Sequence, residues 1–216
     1  MKRKIQGGVY LIIDPSIDQD LLLNTLKKIV REKIAAVQIW DNFSPDTDPP
    51  ALIEQVLSLC HLQNIPVLIN NQWELLRIMN LDGVHFDKAP GNIVQLKQQL
   101  GQEVITGITC NNDLSTVKWA DENKLDYISF CSMFPSSTAN SCELVTFDTI
   151  RNAKEITNIP IFLAGGINPE NLHSLSGLNY SGIAVVSGIM SAADPLAELK
   201  KYLKHIEEIK NENKYY

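Results

Sequence analysis

The sequence predicts an α/β protein folded as a single (β/α)8 barrel of the TIM type. Two apolar, β-branched runs near the end each stop at glycine before a helix-like segment. They are Ile161-Phe162-Leu163-Ala164-Gly165-Gly166-Ile167 and Ile183-Ala184-Val185-Val186-Ser187-Gly188-Ile189. Six further apolar runs precede them, each followed by a segment of helical character. The runs are apolar without alternation, the pattern of strands buried in a parallel sheet. Strict strand–helix alternation implies parallel strands, and eight units favour a closed barrel over an open doubly wound sheet.

Val9-Tyr10-Leu11-Ile12-Ile13 is the first strand, ended by Asp14-Pro15. Asp18 can cap the helix that follows, whose apolar residues Leu22, Leu26, Ile29 and Val30 keep helical spacing. Ala36 to Trp40 is strand 2. After the polar loop Asp41 to Asp48, Pro49-Pro50 opens helix 2 where a helix tolerates proline. Pro66 to Ile69 is strand 3, with a short helix from Trp73 to Met79. Gly83 to Phe86 is strand 4, with a helix from about Asn92 to Leu100. Val104 to Ile108 is strand 5, followed by a helix from Leu114 to Glu122. Asp126 to Phe130 is strand 6, and a long loop from Cys131 to Val145 leads to a helix near Phe147 to Ile156. Pro160 to Ala164 is strand 7, and Asn168-Pro169-Glu170 starts its helix. Gly182 to Val186 is strand 8, and the last helix ends near Lys210, leaving 211–216 as a polar tail. No boundary, repeat or low-complexity segment divides the chain, so 1–216 reads as one domain.

The chain has 216 residues, enough for one sizeable core, and its 44% hydrophobic content is that of a soluble globular protein. The net charge of −6 argues against a nucleic-acid-binding surface. No apolar run reaches membrane length, and the basic start Met1-Lys2-Arg3-Lys4-Ile5 precedes too short an apolar stretch for a signal peptide. Cys60, Cys110, Cys131 and Cys142 show no CxxC spacing and read as thiols of a reducing cytoplasm.

In a barrel the chemistry sits at the carboxyl ends of the strands. Glycine there lets backbone N–H groups approach a ligand, and a helix start beyond adds partial positive charge. Gly165, Gly166, Ser187 and Gly188 therefore read as a phosphate cradle, against the alternative that the glycines only permit tight strand-to-helix packing. Lys88 is the one cation clearly placed at this face. Gln38 and Asn70 end strands in the barrel mouth, either facing a ligand or bonded to each other in a polar layer. His85, inside an apolar strand, reads as structural. Cys131 lacks a basic partner nearby in sequence and does not read as a nucleophile. Trp40 stands at this face just past strand 2, with an aromatic plug between strands as its alternative, and Asp41, Asp46 and Asp48 read as a solvated acidic tip. Pro135-Ser136-Ser137-Thr138 fits a surface turn, but the length of its loop favours a role over a site.

These residues, in their order and spacing, resemble the thiamine phosphate synthase and thiazole tautomerase superfamily over nearly the whole chain. The matching pieces are Val9-Tyr10-Leu11, Val37-Gln38, Leu68-Ile69-Asn70, Asp82-Gly83-Val84-His85 and Asp126-Tyr127-Ile128. Met133-Phe134-Pro135, Ala164-Gly165-Gly166-Ile167-Asn168 and Gly182 to Ile189 complete the set. The resemblance implies transfer of a hydroxymethylpyrimidine group from its pyrophosphate to a thiazole phosphate, with magnesium and basic side chains drawing off the pyrophosphate. It also implies substrate-binding roles for Gln38, Asn70, Thr109, Ser136 and Thr138, and phosphate-binding roles for Gly165, Gly166, Ser187 and Gly188.

The departures fall on one half of that site. The family's alternating glutamine, arginine and lysine after strand 2 are here Gln38, Trp40 and Asn42. Its two magnesium aspartates are here Asn71 and Pro90, so no metal ligand carries over. The lysine after the two loop hydroxyls is Ala139, and the tautomerase histidine is Ser132. Asp87 or Lys88 can reach in from the strand 4 loop as a substitute. Three activities remain open: a synthase-type transferase using Mg2+, a non-catalytic or regulatory binder of thiazole phosphate or thiamine phosphate needing no cofactor, or an isomerase of another small phosphate ester. The expected partners are small phosphorylated thiazoles or pyrimidines, with no nucleic acid or membrane. The resemblance alone suggests a homodimer.

Overall fold

The structure is a computed structural model that describes residues 3–101, 104–136 and 143–212. Eight strands pair in parallel and in chain order, and the last closes onto the first. They are β1 (Gly8–Ile13), β2 (Ala36–Ile39), β3 (Val67–Asn70), β4 (Gly83–Phe86), β5 (Ile105–Thr109), β6 (Tyr127–Cys131), β7 (Ile161–Ala164) and β8 (Gly182–Val185). The helices are α1 (Gln19–Ile29), α2 (Pro49–His61), α3 (Ile93–Leu100), α4 (Leu114–Glu122), α5 (Phe147–Ile156), α6 (Ser187–Met190) and α7 (Pro195–Glu212).

Local chemistry sets the helix starts. The Asp18 carboxylate accepts the Leu21 N–H at 2.8 Å to begin α1, and Asn92 accepts from Gln95 at 2.9 Å to begin α3. Each satisfies an N–H that the first turn would leave unpaired. Leu22, Leu26 and Ile29 of α1 and Leu52, Ile53 and Val56 of α2 are fully buried in the main core, between the helical coat and the barrel wall.

Four expectations are corrected. The segments after β3 and β7 are 3-10 turns, Trp73–Arg77, shorter than the helix expected to Met79, and Leu172–Leu175, later than the start expected at Asn168-Pro169-Glu170. The first packs Trp73, Leu75 and Leu76 against the core but buries none of them fully, a weaker support for a longer helix. In the second, Leu172 and Leu175 are buried at a spacing of three, the 3-10 period. Asn168 and Asn171 accept each other's backbone N–H at 2.8 and 2.9 Å, which holds 168–171 as a turn instead of a helix start. The segment after β8 is divided: a short α6 precedes α7. That last helix continues through Glu212, two residues into the stretch read as a tail.

Inside the barrel, large rings sit beside small residues such as Ala36, Ala164 and Ala184. Tyr10, Tyr127 and Phe162 fill the centre, with ring centroids 5.5 to 5.7 Å apart. Gly107 makes room for Tyr127: a Cβ there would lie 2.1 Å from the ring's Cζ. Three rings close the barrel's core and leave its carboxyl end open.

Candidate functional site

A cavity of about 620 Å³ opens at the carboxyl ends of the strands. Gln38, Asn70, Thr109, Ser136, Gly165, Gly166, Ser187 and Gly188 all line it. Thr138, Cys142 and Ala139 lie outside the described residues. Lys88 lines the cavity as well, the one Lys or Arg among its described lining residues.

One wall comes from the ends of β7 and β8. Gly165 and Gly166 have φ of +85° and +66°, a region side chains rarely adopt. A Cβ at Gly165 would meet Ser132 Oγ at 2.4 Å, and one at Gly166 would meet the Pro135 carbonyl at 2.5 Å. The loop after β6 is laid against this turn by Met133 N–H to Ala164 O at 2.8 Å and Phe134 N–H to Gly165 O at 3.0 Å. Tight packing and cavity lining are thus the same fact at these glycines. Across from them, Ser187 and Gly188 open α6. A Cβ at Gly188 would lie 2.4 Å from the Tyr202 hydroxyl, which donates to Ile167 O at 2.9 Å. Tyr202 of α7 therefore buttresses both loops. Backbone N–H groups, hydroxyls and a first helical turn facing one space can hold a monophosphate without a dedicated cation.

The floor is a run of polar side chains. Gln38 Nε2 donates to Asn70 Oδ1 at 2.5 Å, and the Tyr10 hydroxyl donates to Gln38 Oε1 at 2.8 Å. The Tyr10 and Tyr127 hydroxyls bond at 2.8 Å. His85 Nδ1 meets the Tyr127 hydroxyl at 2.8 Å, and His85 Nε2 meets Thr109 Oγ1 at 2.9 Å. Thr109 Oγ1 lies 3.1 Å from Ser129 Oγ. Burial pushes His85 down to about 4, with the Asp87 charge opposing. Burial pushes both tyrosine hydroxyls upward, the Tyr10–Tyr127 bond lowering Tyr10 and the neighbouring Tyr10 raising Tyr127 further. These groups are neutral hydrogen-bonding partners at neutral pH.

Gln38 and Asn70 do bond to each other, and they line the cavity too. His85 has both ring nitrogens satisfied, as a structural histidine would. Trp40 lines the cavity mouth rather than plugging the barrel, because the three interior rings already fill that space. The acidic tip is not simply solvated: Asp41 accepts from Asn71 Nδ2 at 2.9 Å, and Asp48 caps α2. Asp46 is exposed to solvent. Tyr10, Tyr127, Ser129 and Tyr202 were not legible as site residues. The first three share the inward face with Gln38, Asn70 and Thr109, so following every second position along each strand would have found them.

At position 71 an asparagine with φ of +51° turns its amide into the strand-end loops. Nδ2 donates to Asp41 at 2.9 Å and to Asp87 Oδ2 at 2.8 Å, and Oδ1 accepts the Asp87 N–H at 3.0 Å. Asp87 Oδ2 also accepts from Asn70 Nδ2 at 3.1 Å. No helix of the described residues is long and apolar enough to cross a membrane.

The family model described as thiamine monophosphate synthase matches residues 9–189. Among curated relatives, the thiamine-phosphate synthase of Xylella fastidiosa is 32% identical over 195 residues, covering 90% of this chain and 82% of its own. That of Halorhodospira halophila is 30% identical over 198 residues, covering 90% and 92%. Among solved structures, a thiamine phosphate pyrophosphorylase from Pyrococcus furiosus superposes with a TM-score of 0.80 at 20% identity, covering 96% of this chain and 98% of its own, which speaks for the barrel fold. With the family's matched span running from β1 to α6, the chain belongs to the thiamine monophosphate synthase family.

Proposed function

We propose that this chain serves thiamine biosynthesis as a synthase-like protein that binds thiazole phosphate or thiamine phosphate through its glycine cradle and has a degraded half-site for magnesium pyrophosphate. One observation carries the reading: Asn71. It stands where the family resemblance implies a magnesium aspartate, and it turns an amide N–H, not a carboxylate, towards Asp41 and Asp87. Magnesium is held through carboxylate charge, which an amide does not bring, and the Asn71 oxygen accepts the Asp87 N–H. Pro90, at the second such position, has no ligating side-chain atom. The residues present therefore do not fit the metal as the family would hold it. Trp40 and Asn42 stand where two cations would neutralise the leaving pyrophosphate, and without them its departure loses charge stabilisation.

The cradle has no such loss. Gly165, Gly166, Ser187 and Gly188 are retained, line one cavity, and offer the backbone and hydroxyl donors that suit a monophosphate. The floor amides of Gln38 and Asn70 suit the polar edge of a heteroaromatic ring, and Thr109 and Ser136 add hydroxyls.

The test is titration with thiazole phosphate followed by an assay for thiamine phosphate once pyrimidine pyrophosphate and magnesium are added. The expected result is binding of the monophosphate with turnover at least about 100-fold below a relative's under the same conditions, the loss of roughly 3 kcal/mol of leaving-group stabilisation. No binding would overturn the cradle. Turnover equal to a relative's would overturn the degraded half-site and favour a second reading. In that reading Lys88, which lines the cavity, supplies the lost positive charge.

A further inference from the structure

The floor of the cavity is one unbroken run of hydrogen bonds from Asp87 through Asn70, Gln38, Tyr10, Tyr127 and His85 to Thr109. Each hydroxyl in it owns one proton, and a neutral imidazole owns one as well. Such a run has two self-consistent directions. In one, every donor faces towards Asp87; in the other, every donor faces away. Nothing between Asn70 and Thr109 prefers either, because amides, hydroxyls and imidazole all serve both ways.

Asp87 breaks the tie. A carboxylate only accepts. Asn70 must offer it Nδ2, so Asn70 Oδ1 faces Gln38. Gln38 must then offer Nε2, leaving Oε1 for Tyr10. Tyr10 spends its proton on Gln38 and accepts from Tyr127. Tyr127 spends its proton on Tyr10 and accepts from His85 Nδ1. Nε2 is left bare and accepts from Thr109. Asn71 holds Asp87 in this role, donating to the same carboxylate oxygen and accepting its N–H.

We infer that Asp87 is a positioning residue that sets the direction of this whole run, fixes His85 as the Nδ1–H tautomer, and makes the pocket floor a donor surface. Gln38 Nε2 and Asn70 Nδ2 each keep one N–H that the run does not use, and both residues line the cavity. The floor is thereby matched to a ligand edge carrying acceptor atoms, such as ring nitrogens or a carbonyl. The inference rests on the geometry of the hydrogen-bonded run and stands apart from the proposed function.

The experiment is NMR of the imidazole nitrogens in the full chain labelled with 15N-histidine, near neutral pH and without ligand. His85 is assigned by the signal lost in His85→Gln; His61, His173 and His205 serve as internal references. The expected result is a protonated Nδ1 and a bare Nε2, the opposite of the tautomer favoured by free histidine in water. Asp87→Asn lets the run reverse, and Tyr10→Phe cuts it between Asp87 and His85. Both should move His85 towards Nε2–H. Thr109→Val removes a neighbour of His85 but leaves the link to Asp87, and should keep Nδ1–H. An Nε2–H tautomer in the unsubstituted protein overturns the inference with no variant needed. So does an unshifted Nδ1–H signal in folded Asp87→Asn or Tyr10→Phe protein.

Discussion

His85 illustrates how a single residue is committed by its surroundings. Its folded-state pKa, about 4, lies below its ordinary value of 6.5 because the ring is buried. The unfolded chain therefore binds the extra proton as pH falls between these values. The His85 contribution to stability is fully present above about pH 6.5 and is lost as pH falls towards about 4, by up to about 3 kcal/mol. Chemical denaturation across this window should give a stability that declines with acidification, and His85→Gln should flatten that slope. An unchanged slope would place the buried charge penalty elsewhere. Asn71 is the second decisive residue. Asn71→Asp replaces the amide donor between Asp41 and Asp87 with a third carboxylate, and like charges at hydrogen-bond distance repel. The variant should melt several degrees lower than the parent without divalent ions, and magnesium should restore most of the loss while leaving the parent's melting temperature unmoved. Thermal melts with and without magnesium check this.

At the scale of elements, the loops after β7 and β8 are held in place by glycine geometry and by α7. Gly166→Ala carries two costs, a positive φ and a Cβ 2.5 Å from a backbone carbonyl. Gly101 also has a positive φ, +84°, but with nothing within 4 Å of a Cβ. Gly101→Ala should cost about 1 kcal/mol, and Gly166→Ala clearly more, about 2 to 4 kcal/mol, with loss of monophosphate binding. Equal costs in paired denaturation curves would show that the β6 loop yields freely. The element scale is also where the sequence spoke most plainly. Asp18, Pro49 and the apolar spacing of α1 mark helices within a residue or two, because caps and periodicity are local. The 3-10 turn at Leu172–Leu175 was not legible, since it depends on side-chain bonds between Asn168 and Asn171 that a helix start mimics. The two glycine stops pointed to one wall of the cavity. Its buttress, Tyr202, stands apart because only the packing of α7 brings it to Ile167.

For the whole molecule, closure of the barrel converts eight separate strand ends into one site. The eightfold alternation was legible from the sequence; the partners across the barrel were not. Tyr10 and Tyr127 are 117 positions apart in sequence, and they meet because strand register places both on the inward face at the same depth. Gly107 is a requirement of that closure, so Gly107→Ala, which drives a Cβ into the Tyr127 ring, should destabilise the entire domain by more than about 2 kcal/mol. A loss confined to β5, seen as locally raised hydrogen exchange with an unchanged global midpoint, would contradict a cooperative barrel.

The central claim is that one half of an ancestral two-substrate site persists while the other has lost its ligands. Its most direct test is calorimetric titration of the unsubstituted protein with pyrimidine pyrophosphate, with and without magnesium, beside the same titrations with thiazole phosphate. The monophosphate should bind under both conditions, and the pyrophosphate weakly, with no strengthening by magnesium. Pyrophosphate binding strengthened tenfold or more by magnesium, about 1.4 kcal/mol, would contradict it and assign the missing ligands to other residues.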